Sequence, residues 1–291
     1  MGVPARARRP GRPSCPHAPA CADGRGARQR GNGVMTGRCP LPLPGRTTAG
    51  EGRRPLVVAA HGTASEEGQR VVRDCAARAG ALLGLPSPPS VGFVDVCGPT
   101  LQEVLAGLSD PVVVPFFLAS GYHVRHDVPS AVVTMPRASV TPALGAEEEV
   151  LQALTDRVLQ ARPWAVEGRA GEGGAMRLRA VLVVGAGSSV DAARAEVAQI
   201  SGLLGARLGV ATGTAFLSGP GPRPEEELSR LTEEGRESGH VVVAAHLLSP
   251  GHFLDRAHRV AAAAGTVATA PLGTHDALAA LVARRYREAT A

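Results

Sequence analysis

Residues 57–65 read VVAAHGTAS and residues 182–190 read LVVGAGSSV. Each is a short apolar run that stops at a small, glycine-bearing turn. Each is followed by Ala, Leu, Glu and Arg at helical spacing. The likeness extends outward. GFVDVCGPT at 92–100 matches AFLSGPGPR at 215–223, and VVVPFFLASGYH at 112–123 matches VVVAAHLLSPGH at 241–252. TPALG at 141–145 is repeated as APLG at 270–273. Such self-similarity implies two copies of one supersecondary unit. On this register His61 faces Ala186, Asp95 faces Ser218 and His123 faces His252.

Within each copy, β-branched runs alternate with helical stretches, which predicts βαβ units and a parallel sheet. Strands are expected over 56–60, 91–96, 112–118 and 138–144, then over 180–184, 209–217, 240–247 and 266–272. Helices are expected near 65–84, 98–108, 126–134 and 146–161, then near 189–205, 224–238, 252–264 and 275–288. Asp127-Val128-Pro129 reads as a helix start with proline in the first turn. The fold class is therefore α/β, with two tandem doubly wound parallel-sheet domains behind a disordered tail. The divisions are a tail over 1–54, a first domain over 55–162, a linker over 163–178 and a second domain over 179–291.

The tail is rich in Arg, Pro and Gly and has almost no aliphatic residue before Leu41, so it cannot bury enough surface to order. Met35 is an alternative start for the chain. Charge divides at the same boundary. The first 54 residues hold eleven Arg against Asp23 and Glu51, a balance of +9, while the rest holds 20 Arg against 24 acids, or −4. The overall +5 belongs to the tail, and the folded part gives no basis for nucleic-acid binding. No apolar run reaches the ~18 residues of a membrane span, and the N-terminus lacks the apolar core of a secretory signal. Cys75 and Cys97 are the only cysteines outside the tail, which is no disulfide framework, so a cytoplasmic setting is expected.

In a doubly wound domain whose first and third strands are adjacent, a crevice opens outside their carboxyl ends. His61 ends the first predicted strand, Asp95 the second, and His123 lies just past the third. Residues distant in sequence would meet at one sheet edge. Two imidazoles and a carboxylate suit a borderline divalent ion, with coordination positions left open. The same three residues equally suit acid–base chemistry. Each has an ordinary alternative as well. His61 and His123 could be polar turn residues, and Asp95 could cap the helix that follows. His126 and Asp127 read as first-turn residues, His246 as a satisfied core histidine, and His275 as a helix cap. Gly185-Ala186-Gly187 lacks the third glycine of a dinucleotide fingerprint.

AAHGTA (59–64), GFVDVCGPTL (92–101) and VPFFLASGYHVRHDVP (114–129) together resemble the sirohydrochlorin chelatases of the class II chelatase superfamily, in a two-copy form spanning 55–290. The resemblance implies a lyase that inserts Fe²⁺ or Co²⁺ into sirohydrochlorin for sirohaem or cobalamin synthesis, with the metal as substrate and no organic cofactor. It puts the metal-binding histidines at His61 and His123. It puts the assisting acid, usually Glu, at Asp95, whose shorter side chain suits a water-mediated contact or proton acceptance. The macrocycle's carboxylates would meet Arg125 and the Ser120, Gly121 and Tyr122 turn, with His252 facing the substrate from the second half. Phe116 and Phe117 could touch the ring, although a core role fits them better. The second half would stand in for a partner chain, so a monomer is expected. A non-catalytic metal or tetrapyrrole carrier is the alternative.

Overall fold

Strand β1 (Leu56–Ala60) is buried at every position, which is why it is a continuous apolar run with no polar alternation. The computed structural model describes residues 53–161, 178–233 and 240–291. The first half runs β1, α1 (Glu66–Leu82), β2 (Ser90–Phe93), α2 (Leu101–Leu105), β3 (Val112–Pro115), α3 (Tyr122–Arg125), α4 (Asp127–Val132), β4 (Ser139–Val140), α5 (Glu148–Gln160). The second runs β5 (Leu178–Gly185), α6 (Asp191–Leu208), β6 (Ala211–Phe216), α7 (Pro224–Glu233), β7 (His240–His246), α8 (His252–Ala263), β8 (Val267–Ala268), α9 (Asp276–Thr290). Each half holds a four-stranded parallel sheet, ordered β2-β1-β3-β4 and β6-β5-β7-β8. First and third strands are adjacent in both, as the crevice argument requires. The expectations on the tail and the linker lie outside the described residues, except that the tail's Arg53 and Arg54 are described and the linker's last residue, Leu178, is the first residue of β5.

Several strands are shorter than the sequence suggests. The run over 112–118 leaves the ladder at Pro115. Val112 and Phe116 donate their N–H groups towards β1, to Pro55 and Ala59. The missing donor of Pro115 therefore falls on the β4 side. There β4 pairs only Val112–Ser139 and Val113–Val140, so the proline leaves no ladder bond broken. The segment over 138–144 is correspondingly a two-residue strand, and so is β8. In the second half Ala244 replaces the proline and β7 continues to His246.

Helix starts follow their local chemistry. Ser65 accepts from the Gly68 N–H at the head of α1, with Glu66 and Glu67 in the first turn. Thr100 and Glu103 close a reciprocal capping box on α2, so the cap that Asp95 could have supplied belongs to Thr100. The hydrogen bonds from Thr100 hold the Glu103 carboxyl below its ordinary range. His275 caps α9, its Nδ1 accepting from Ala277 N–H at 3.2 Å.

Each half has a small apolar cluster of its own, and a larger one is shared. One apolar cluster joins Val58, Val114 and Leu154 of the first with Val183, Ile200 and Leu281 of the second. Helix α9 packs on α1 and α5, and α5 also meets α6 and β7. Around this core Arg284 binds Glu147 and Glu149, Arg207 binds Glu148 at 2.7 Å, and Arg157 donates to the Pro271 carbonyl at 2.8 Å. Among the described residues no helix is long and apolar enough to cross a membrane.

Candidate metal and tetrapyrrole site

Strand β1 ends at Ala60, and the chain must turn at once to enter α1. Gly62 makes the turn with φ +102°, and a Cβ there would lie 2.0 Å from the Asp95 carbonyl oxygen. Only glycine fits so close a backbone approach. The second half repeats the device, with Gly187 at φ +108° and 2.0 Å from the Ser218 carbonyl. The pairings of Asp95 with Ser218 and of His61 with Ala186 are thus structural equivalences.

The tight turn leaves His61 exposed at the carboxyl end of β1. Past β3 the chain passes through Ser120 and Gly121 into the single turn of α3, which carries His123. The two imidazoles meet with ring centroids 4.4 Å apart and planes at 80°. His123 Nδ1 lies 2.5 Å from Asp127 Oδ2, and His61 Nδ1 lies 3.2 Å from the Gly62 carbonyl. An acceptor at Nδ1 favours the proton there and leaves the Nε2 lone pair of each ring for another partner. Phe117 lies behind His123, ring centroids 6.4 Å apart and planes at 23°. Sequence reasoning placed Asp127 only in a helix first turn. Its i,i+4 spacing from His123 was the signal that could have found the pair.

Other expected residues are placed differently. Asp95 donates its N–H to the His61 carbonyl at 2.9 Å, so its backbone adjoins the pair. Its carboxylate, however, accepts from the Val96 N–H at 2.7 Å and is exposed. Among the described residues no three His, Cys, Asp or Glu side chains converge as a metal-holding group. Gly121, Tyr122 and His252 line the cleft described next, while Ser120 and Arg125 do not. Arg125 Nε donates to the Ser120 carbonyl at 2.8 Å, and the Ser120 N–H binds Glu196 Oε2 at 2.9 Å. His126 is exposed and lies against Tyr122, ring centroids 4.5 Å apart.

The imidazole pair opens into a cleft of about 790 Å³ between the halves, within the usual few-hundred to ~1,000 Å³ of a small-molecule site. One wall carries His61, Phe117, Tyr122 and His123. The other carries Ser188, Arg194, His246 and His252. Among the described residues, Arg194 and the imidazoles are its ionisable side chains apart from Tyr122, and no carboxylate lines it. That lining suits an anionic, largely apolar ligand. Arg194, which the sequence did not single out, donates to the Ser188 carbonyl at 2.6 Å.

His246 corrects an expectation. It is 4% exposed, but its Nε2 is buried without a hydrogen-bond partner, so it is not a satisfied core histidine. Burial pushes its pKa down to about 4, and the ring is neutral near pH 7. On the repeat register it occupies the place of Phe117.

Comparison with known proteins fits this geometry. Sirohydrochlorin cobaltochelatase of Methanopyrus kandleri is 46% identical over 44 residues, a match covering 13% of this chain and 31% of that protein. The chain thus matches about a third of that relative's length. The fold resembles the solved structure of SirB from Bacillus subtilis with Fe³⁺, with a TM-score of 0.65 at 21% identity, covering 82% of this chain and 96% of SirB. It also resembles a structure described as CbiX, the terminal enzyme for biosynthesis of siroheme in denitrifying bacteria, with a TM-score of 0.58 at 17% identity, covering 81% and 99% of the two chains. The family model for CbiX matches residues 55–161 and again 180–289, once per half. The chain belongs to the CbiX family, as two family units in tandem.

Proposed function

We propose that this chain is a sirohydrochlorin chelatase that inserts Fe²⁺ or Co²⁺ into the macrocycle, for sirohaem or cobalamin synthesis. The observation that carries the reading is the His61–His123 pair, rings 4.4 Å apart, at the edge of a cleft with no carboxylate among the described residues of its lining. In this reading the Nε2 atoms of His61 and His123 hold the incoming ion, and its other positions stay open to water and to the macrocycle's nitrogens. Asp127 orients the His123 ring and raises its basicity as a ligand. Borderline imidazole ligands accept either metal, so availability decides between them.

Insertion exchanges one divalent cation for two protons on the macrocycle's inner nitrogens, and those protons need acceptors. His252, on the opposite wall and exposed, is one base in reach of the cleft. Asp95, beside His61 along the backbone, accepts the Val96 N–H at one carboxylate oxygen and acts through water with the other. Arg194, ion-paired with Asp191, presents its guanidinium at the cleft wall to the macrocycle's carboxylates. Phe117 and Tyr122 offer ring faces to the macrocycle.

The test is a spectroscopic assay of the full chain with sirohydrochlorin and each metal in parallel. The expected result is metal-dependent loss of the free macrocycle's absorption at catalytic turnover. Binding of either ligand without turnover would make the chain a carrier. His123→Ala is expected to keep its circular dichroism and to lose most insertion activity. Parental turnover in that variant would remove His123 from the site.

A further inference from the structure

The turn that presents His123 is held from the other half of the chain. Ser120 donates its N–H to Glu196 Oε2 at 2.9 Å, across 76 residues of sequence. Its carbonyl accepts from Arg125 Nε at 2.8 Å, so the peptide groups on both sides of Ser120 are tied. At Gly121, a Cβ would lie 3.3 Å from Ser188 Oγ of the second half. The half-buried Glu196 carboxylate thus grips a loop that passes close against its own half, three residues before a proposed metal ligand.

The internal repeat shows that this grip is particular to one half. Buried positions 68, 72, 75, 76, 79 and 80 of α1 recur at 193, 197, 200, 201, 204 and 205 of α6. On that register Glu196 stands where the first half has Val71, which cannot accept a hydrogen bond. The reciprocal turn of the second half, at Ser249 and Pro250, also approaches the opposite helix, with the Pro250 carbonyl 3.4 Å from where a Cβ on Gly68 would be. Each turn therefore comes close to the opposite half, while the carboxylate acts on one side only. It occurs on the half whose first-strand histidine is Ala186, and it reaches the half that keeps both imidazoles.

We propose that Glu196 is a positioning residue for the metal site, fixing the 119–121 turn so that His123 stands against His61. The inference rests on reading that imidazole pair as the metal site. A carboxylate on a backbone N–H is stronger than a neutral acceptor and restrains the turn accordingly. Preorganising a ligand from outside the coordination sphere affects metal affinity by about ten- to a hundredfold in other sites.

The test uses the full chain, titrated with Co²⁺ by calorimetry and by its visible absorption, beside steady-state insertion into sirohydrochlorin. Glu196→Ala is expected to weaken Co²⁺ binding about tenfold while the KM for the macrocycle stays unchanged. Glu196→Gln keeps an acceptor oxygen and is expected within about threefold of the parent. If Glu196→Ala fails to fold, Glu196→Val, which restores the residue of the first repeat, takes its place with the same expectation. Unchanged Co²⁺ affinity in the folded variant overturns the inference and leaves the metal site standing. A parent chain with no Co²⁺ binding dependent on His61 and His123 overturns both.

Discussion

His123 and Asp127 form a unit that neither makes alone. The carboxylate favours the proton on Nδ1 of His123, and so leaves the Nε2 lone pair for another partner. Asp127→Asn keeps the shape and offers a weaker acceptor. It is expected to cut Co²⁺ affinity about tenfold, read by calorimetric titration, without lowering the melting temperature by more than a few degrees. At His246 the consequence concerns stability. Its folded pKa of about 4 lies below the ordinary 6.5, so between those values the unfolded chain binds a proton that the folded chain refuses. Stability therefore falls as pH drops from 6.5 towards 4, by about 3 kcal/mol in full. His246→Phe, which installs the residue of the first repeat, is expected to flatten that acid limb. Urea midpoints at pH 7 and pH 4.5 would show it, and equal slopes in parent and variant would exclude the imidazole as the cause.

At the scale of elements, the strand-to-helix turn is the shared invention of both halves. Gly62→Ala and Gly187→Ala would each force a Cβ into a carbonyl oxygen at 2.0 Å and strain a positive φ. Each is expected to cost at least about 2 kcal/mol in chemical denaturation. Only Gly62→Ala, which carries His61 with it, should also weaken metal binding. Much at this scale was legible in the sequence. Periodicity gave the order of strands and helices, and topology alone brought His61 and His123 together. Strand ends were not legible, because β4 pairs only with Val112 and Val113, and nothing in the apolar run over 112–118 marks where that pairing stops. Glu196 was not legible either, since nothing local in α6 marks a carboxylate whose partner lies 76 residues away. Asp95 illustrates a further limit: topology fixed where its backbone runs, but a bond to the next N–H decided where its carboxylate points.

For the whole molecule, the shared core sets the folding unit. Val58 and Leu154 pack in one cluster with Ile200 and Leu281, so neither half can be removed without exposing the apolar face of the other. Calorimetry is expected to show one unfolding transition, with equal calorimetric and van't Hoff enthalpies. Residues 53–161 or 178–291 expressed alone are expected to self-associate or aggregate on size exclusion. Two resolved transitions would refute this.

The replacement of one histidine by Ala186 has a further consequence, one of stoichiometry. A cleft built from two identical halves would offer a flat ligand two equivalent poses and two chances to load an ion. Among the described residues this chain offers one imidazole pair in ring contact, on one wall. Co²⁺ titration should therefore saturate at one equivalent per chain, and a bound macrocycle should meet the ion from one face only.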